Sequence, residues 1–188
     1  MVFVQADSAQ RYSDGSAGLS PLDKNILQCL WGTCSADVPP FVKDLEGKAG
    51  AGFDVVTSMF ALHYFFKTGE MFEAFLQNLA ETVKVGGYFV GCCTDGEEVT
   101  KLLRTHAKGE SVSGSEGEKL LWKITKQYED MYGFLPSDES GIGRAIDVNF
   151  ISIGETHTEY LVSFEYLKSR LAGIGLDVIY YPVILLMS

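Results

Sequence analysis

The chain has 188 residues, 46% of them hydrophobic and 12% aromatic, enough for one sizeable core and incompatible with a disordered tail or a collagen-like fibre. Twenty-five acidic residues against fifteen basic ones leave a formal charge of -10, which excludes tight, extended binding along a nucleic-acid backbone. Any nucleic acid bound here has to be gripped locally.

Short β-branched runs alternate with longer amphipathic stretches, the pattern of a doubly wound α/β sheet. Val2 to Ala6 is expected as a strand closed by Asp7. Pro21 to Trp31 has apolar residues at helical spacing, with Ser20 as N-cap and Pro21 at the first position. A loop over residues 38–51 leads to a buried-type strand, Phe53 to Ser58. Glu70 to Val83 reads as an amphipathic helix stopped by Gly86 and Gly87, and Tyr88 to Cys93 as a third strand. Asp95 is the expected N-cap of a helix reaching Leu102 or Leu103.

The polar, glycine-rich stretch 108–118 is expected as a flexible loop within a domain that runs over 1–188. Leu120 to Tyr128 and Ala145 to Ile153 alternate as two antiparallel strands joined by a loop holding Pro136 and Gly141. A helix over Phe164 to Leu171, ended by Gly173 or Gly175, precedes a last strand, Leu176 to Leu186. No internal repeat is visible.

Standard catalytic patterns are missing. The GIG triplets at 141–143 and 173–175 neither follow a strand nor open a helix, which makes them turns or caps, and there is no Walker lysine loop. Ser58 lacks the glycines of a nucleophile elbow, His63, His106 and His157 have no nucleophile at a useful spacing, and His106 and His157 are expected to face solvent. Cys29, Cys34, Cys92 and Cys93 form neither a disulfide framework nor a CxxC zinc pair, which favours a reducing compartment. No metal is expected. Ligands of open α/β sheets gather at the carboxyl ends of the strands, where Asp7 and Asp95 lie, each able to meet an adenine amine or a ribose or simply to cap a turn. The run FALHYFF is richer in aromatics than a connection requires, although a lone histidine in apolar surroundings is more often a core residue.

FDVVTSMFALHYFF, followed by a helix and by KVGGYFVGCCTDGEEVTKLL, resembles the central part of the mRNA cap guanine-N-7 methyltransferases. FVQADS and THTEYLVSFEYL extend the resemblance from Val2 to about Leu171. It implies an α/β, Rossmann-like class I methyltransferase with an incomplete sheet: strands three to six plus an inserted antiparallel pair. It also implies S-adenosylmethionine as methyl donor, contacted by Asp7, Ser8, Met59, Phe60 and Tyr64. His63 and Tyr64 would sit against the cap guanine, and Glu159 would accept hydrogen bonds from its N-1 and exocyclic amine. Met59 replaces the glutamine of several relatives, and Thr94 the proline of many.

The implied partner is the capped 5′ end of mRNA (GpppN), in the nucleus or cytoplasm, with no membrane. Methyl transfer to a lone pair that carries no proton needs no general base, so no catalytic acid or base is expected and positioning carries the rate. The family's Gly-rich donor loop has no counterpart here. In the family strand order 3-2-1-4-5-7-6 the two central strands are absent, as are strand seven and the cap-pocket aromatic it bears. The expectation is a fragment of a longer enzyme, or a chain completed by a second subunit. A non-catalytic methyltransferase-like subunit and a small-molecule methyltransferase are the alternatives.

Overall fold

The computed structural model describes residues 2–129 and 133–179. The chain divides into two compact units, Met1–Ser58 with Glu70–Gly91, and Met59–Gly69 with Cys92–Ser188.

In the first unit α1 (Pro21–Leu30) begins as expected: the Ser20 side chain accepts from the Asp23 N–H, and Asp23 returns a bond to the Ser20 N–H, a full capping box. Helix α1 and the short α2 (Pro40–Lys43) enclose a core of Ile26, Cys29, Val38, Val42 and Leu45. Cys29 and Cys34 form a disulfide, a pairing that the sequence reading did not assign. Their Cα atoms lie 4.1 Å apart because the chain turns back after α1, at Gly32 (φ 86°).

Strand β1 (Phe53–Met59) pairs in parallel with β2 (Val83–Cys92), and the connection between them includes α4 (Gly69–Thr82), which inserts Phe72, Phe75, Leu76 and Leu79 into the interior. The ring of Phe75 meets Phe89 of β2 edge-on at 5.9 Å. Gly86 and Gly87 do not stop the helix; they lie inside β2. A Cβ on Gly87 would stand 2.8 Å from the Phe53 carbonyl oxygen, so glycine here admits a neighbouring strand rather than ending an element.

Val2 to Ala6 does not form the expected strand. Among the described residues its only ladder contact is a single bridge, Ala6 to Gly18; the Gln5 carbonyl accepts from Leu19 N–H and the Gln5 N–H donates to the Asp23 carboxylate. Asn78 of α4, 3% exposed, ties this segment down: its Oδ1 accepts from Tyr12 N–H (3.0 Å) and its Nδ2 donates to the carbonyls of Ser8 (3.1 Å) and Gln10 (2.7 Å). Asn78→Ala leaves three backbone groups unpaired and should cost about 2–3 kcal/mol, read as a lower urea midpoint at unchanged slope.

The second unit holds α3 (Leu62–Phe65), α5 (Gly96–Leu102), α6 (Phe164–Gly173) and an antiparallel sheet in the order β3–β4–β5–β6. The expected pair is present as β4 (Lys119–Lys126) and β5 (Ala145–Phe150), with Ile124 opposite Val148. The sheet continues on both sides of that pair. Strand β3 (Ser111–Glu116) arises within the stretch read as a loop and pairs with β4, and β6 (Thr156–Tyr160) pairs with β5. The core between sheet and α5 comprises Val99, Leu103, Ile124, Tyr128, Leu135, Ile146, Val148 and Leu161. Asp95 caps α5, accepting from Glu98 N–H at 3.0 Å. The expected last strand, Leu176 to Leu186, falls mostly outside the described residues, and residues 176–179 carry no strand.

Candidate functional site

At the carboxyl end of β1 the chain passes through Met59 and Phe60, 57% and 67% exposed, before entering α3. Phe60 has φ 53°, the only positive value among the described non-glycine residues, and its N–H donates to the Cys92 carbonyl at 3.0 Å. A bulky residue held in the left-handed region is an outlier whose cost is tolerated mostly at binding sites. The turn displays two large apolar side chains to solvent at a strand's carboxyl end.

The next turn, α3, packs on β6 and brings the two distant sequence motifs together. His63 is buried (4% exposed), and its Nδ1 lies 3.9 Å from the Oε2 of Glu159, too far for a hydrogen bond. Neither ring nitrogen of His63 has a partner, nor does Glu159 Oε2. The Thr94 hydroxyl, and His157 on the same strand, favour the charged form of that carboxylate. Tyr64, 41% exposed, meets the His63 ring edge-on with centroids 4.3 Å apart.

Burial sets the electrostatics. It lowers the His63 pKa to about 4, so the imidazole is neutral at neutral pH, and it raises that of the Glu159 carboxyl above the usual range. Burial also pushes the Cys93 thiol up to about 12, with Cys92, Asp95, Glu97 and Glu159 adding to the effect, so this thiol stays protonated. Glu97 accepts from the Phe164 N–H at 3.1 Å and so links α5 to the start of α6.

Buried polar atoms without partners are uncommon in folded proteins, and here three of them converge beside an exposed aromatic face. Such a group can accept N–H donors from a planar ligand and stack against it. The arrangement sits in the segment matched by a family model described as "mRNA (guanine-N(7))-methyltransferase domain", which covers residues 6–183. The chain belongs to this family.

Its fold is accordingly that of an α/β class I methyltransferase with an incomplete sheet. A relative named mRNA cap guanine-N(7) methyltransferase, from Saccharomyces cerevisiae, is 30% identical over 138 residues, covering 67% of this chain and 28% of that protein. Another of that name, from Aspergillus niger, is 44% identical over 61 residues, 32% of this chain and 10% of that protein. A probable mRNA-capping enzyme from Acanthamoeba polyphaga mimivirus is 30% identical over 150 residues, 76% of this chain and 12% of that protein. The matched stretch therefore spans between a tenth and under a third of the length of these relatives.

Of the residues to which the resemblance gave roles, His63, Tyr64 and Glu159 form one cluster, and Met59 and Phe60 lie just upstream on the same chain segment. Asp7 and Ser8 belong to the first unit. Asp7 is exposed, and its Oδ1 accepts from Ala9 N–H at 2.9 Å, so the capping role weighed for it is present. The Ser8 hydroxyl accepts from Tyr12 at 2.5 Å. His106 and His157, expected to face solvent, are half-buried. Thr94, which the sequence marked only as replacing the proline of many relatives, acts on Glu159, 65 positions away, by favouring its charged form. Among the described residues no group of three His, Cys, Asp or Glu side chains could hold a metal ion, and no helix is long and apolar enough to cross a membrane.

Proposed function

We propose that this chain carries the guanine-binding part of a cap methyltransferase that moves a methyl group from S-adenosylmethionine to N-7 of the guanine cap of mRNA, in the nucleus or cytoplasm. The observation that carries this reading is the unpartnered Glu159 oxygen beside His63 and Tyr64, within the family's own motif. An ionised Glu159 accepts from guanine N-1 and the exocyclic amine, while the free face of Tyr64 stacks on the purine. As N-7 bonds to the methyl carbon, positive charge appears on the ring, and the carboxylate across the Watson-Crick edge stabilises it. Neutral His63 adds no opposing charge.

The donor, when bound, supplies an electrophilic methyl group on a sulfonium. The exposed step at Met59 and Phe60 suits its adenosyl half, with Tyr64 alongside. Its methionine half has no Gly-rich loop in these 188 residues. One face of β1 and β2 also exposes Phe53, Val55, Tyr88 and Val90, 40–56% accessible, in a fold whose sheets are normally covered on both sides. These two observations favour a second reading, in which the chain acts with further polypeptide: the rest of a longer enzyme, or a catalytic subunit that it stabilises.

Tyr64→Ala should weaken binding of the dinucleotide GpppG about tenfold or more, measured by calorimetry, with the protein still folded because the ring is 41% exposed. Wild-type protein that ignores GpppG overturns the cap reading. Labelled S-adenosylmethionine, bound or ignored by the same preparation, separates enzyme from scaffold.

A further inference from the structure

The segment that closes α5 is unusual for so acidic a chain: residues 101–108, KLLRTHAK, hold Lys101, Arg104, His106 and Lys108 and no acid. Lys101 is paired with Glu98 one turn back, at 2.5 Å. Arg104 and Lys108 have no ion-pair partner among the described residues, and both are exposed. They rim a cavity of about 310 Å³ together with His106, Lys126 and the acid Glu129.

The shape of this rim is built into the core. Lys126, 2% exposed on β4, sends its ammonium to the carbonyls of Leu103 (3.3 Å) and His106 (2.9 Å), just beyond the C-terminal end of α5, where a cation is favoured. Its backbone holds the other side of the turn, accepting from Gly109 N–H at 2.7 Å and donating to the Glu110 carbonyl at 2.9 Å. Lys126 is thus spent on positioning, and what the turn presents outward is the pair Arg104 and Lys108. The Glu110 carboxylate is engaged by the Ala107 N–H at 2.7 Å and forms no ion pair with either cation, so a fixed turn that holds Arg104 and Lys108 over a cavity suits a phosphate, and a polyanion more than a single ion.

We infer that the turn Arg104–Lys108 docks a phosphodiester of the RNA chain, apart from the guanine pocket. The identity of the polyanion rests on the cap reading above. Thr94, which acts on Glu159, lies two residues before α5, and the basic turn closes the other end of that helix. The seven residues of α5 rise about 10 Å, so the two sites are a few nucleotides apart at most. An acidic protein can in this way hold RNA through a short contact without a general affinity for nucleic acid.

The test uses the full chain and a labelled, uncapped single-stranded RNA of about 15 nucleotides, followed by fluorescence anisotropy between about 50 and 200 mM salt. Arg104→Glu with Lys108→Glu should weaken binding at least tenfold and make the log affinity against log salt about 1.4 shallower, ~0.7 for each lost phosphate contact. Lys43→Glu with Lys48→Glu, the same charge change on exposed lysines of the first unit, should alter affinity less than threefold, and GpppG binding should be unaffected by either pair. Equal losses from both pairs, no loss from the first, or full displacement of the RNA by millimolar inorganic phosphate would overturn the assignment. Absence of GpppG binding with an intact Arg104 and Lys108 effect would remove the cap reading and leave the RNA site standing.

Discussion

Glu159→Ala should reduce GpppG affinity at least 100-fold while leaving the protein folded and somewhat more stable at neutral pH. The first half follows from unpaired donors. Guanine brings an N-1 hydrogen and an amine hydrogen to the pocket, and without the carboxylate both are desolvated against a methyl group, a loss of about 3 kcal/mol or more. Glu159→Gln should fall between the two, because its carbonyl accepts one hydrogen while its amide opposes the other.

The second half follows from the direction of the Glu159 shift. Burial raises its folded-state pKa, so between the unfolded value and the raised one the folded chain binds more protons than the unfolded chain. The contribution of Glu159 to stability therefore declines as pH rises through the folded pKa, and at pH 7 the ionised carboxylate is a cost. Cys93, His63 and His157 lie about it, and His157 and Thr94 favour its charged form; none of these cancels the desolvation, the largest cause. Its backbone lies in β6 opposite Ile146, and alanine leaves that ladder intact. A variant that loses guanine and gains stability marks a residue kept for binding. Wild-type affinity in Glu159→Ala, or loss of folding, would show a packing residue instead.

Much of this site was legible because its parts are local. The HY pair, the Asp95 cap and the Ser20 N-cap each depend on neighbours within a few positions, and such signals survive without knowledge of the fold. The misses are tertiary. Strand β3 is polar and contains Gly114, composition that reads as a loop. In the folded chain a Cβ at Gly114 would stand 2.4 Å from the Trp122 indole nitrogen, so the glycine makes room for a ring on the adjacent strand. Val2 to Ala6 fails in the opposite sense: its composition suits a strand, but a strand needs a neighbour, and its backbone finds only a single bridge at Gly18, a bond from Leu19 and the Asp23 side chain. The Cys29 to Cys34 disulfide depends on the turn after α1, which spacing alone does not reveal.

The stability of the wild-type protein should fall by about 3 kcal/mol on acidification from pH 7 to 4 through His63 alone, and His63→Phe should remove that part of the slope. The unfolded chain takes up a proton on this imidazole near 6.5, whereas in the fold burial delays protonation to about 4. Between those values the unfolded state binds more protons, so the stabilisation is fully present above 6.5 and lost as pH falls through the window; the gap between 6.5 and about 4 corresponds to about 3 kcal/mol. Glu159, 3.9 Å away and shifted in the opposite direction, offsets some of this in the wild type, so the Glu159→Gln background should show the steeper His63 slope. The measurement is urea unfolding at half-unit pH steps. Parallel curves for wild type and His63→Phe would mean an imidazole that titrates normally. On the proposed function a histidine held neutral also has a consequence for chemistry: methylation would leave a cation on the guanine ring, and a protonated His63 beside it would oppose that charge. Burying the imidazole keeps His63 uncharged at neutral pH, so it adds no positive charge to such a pocket.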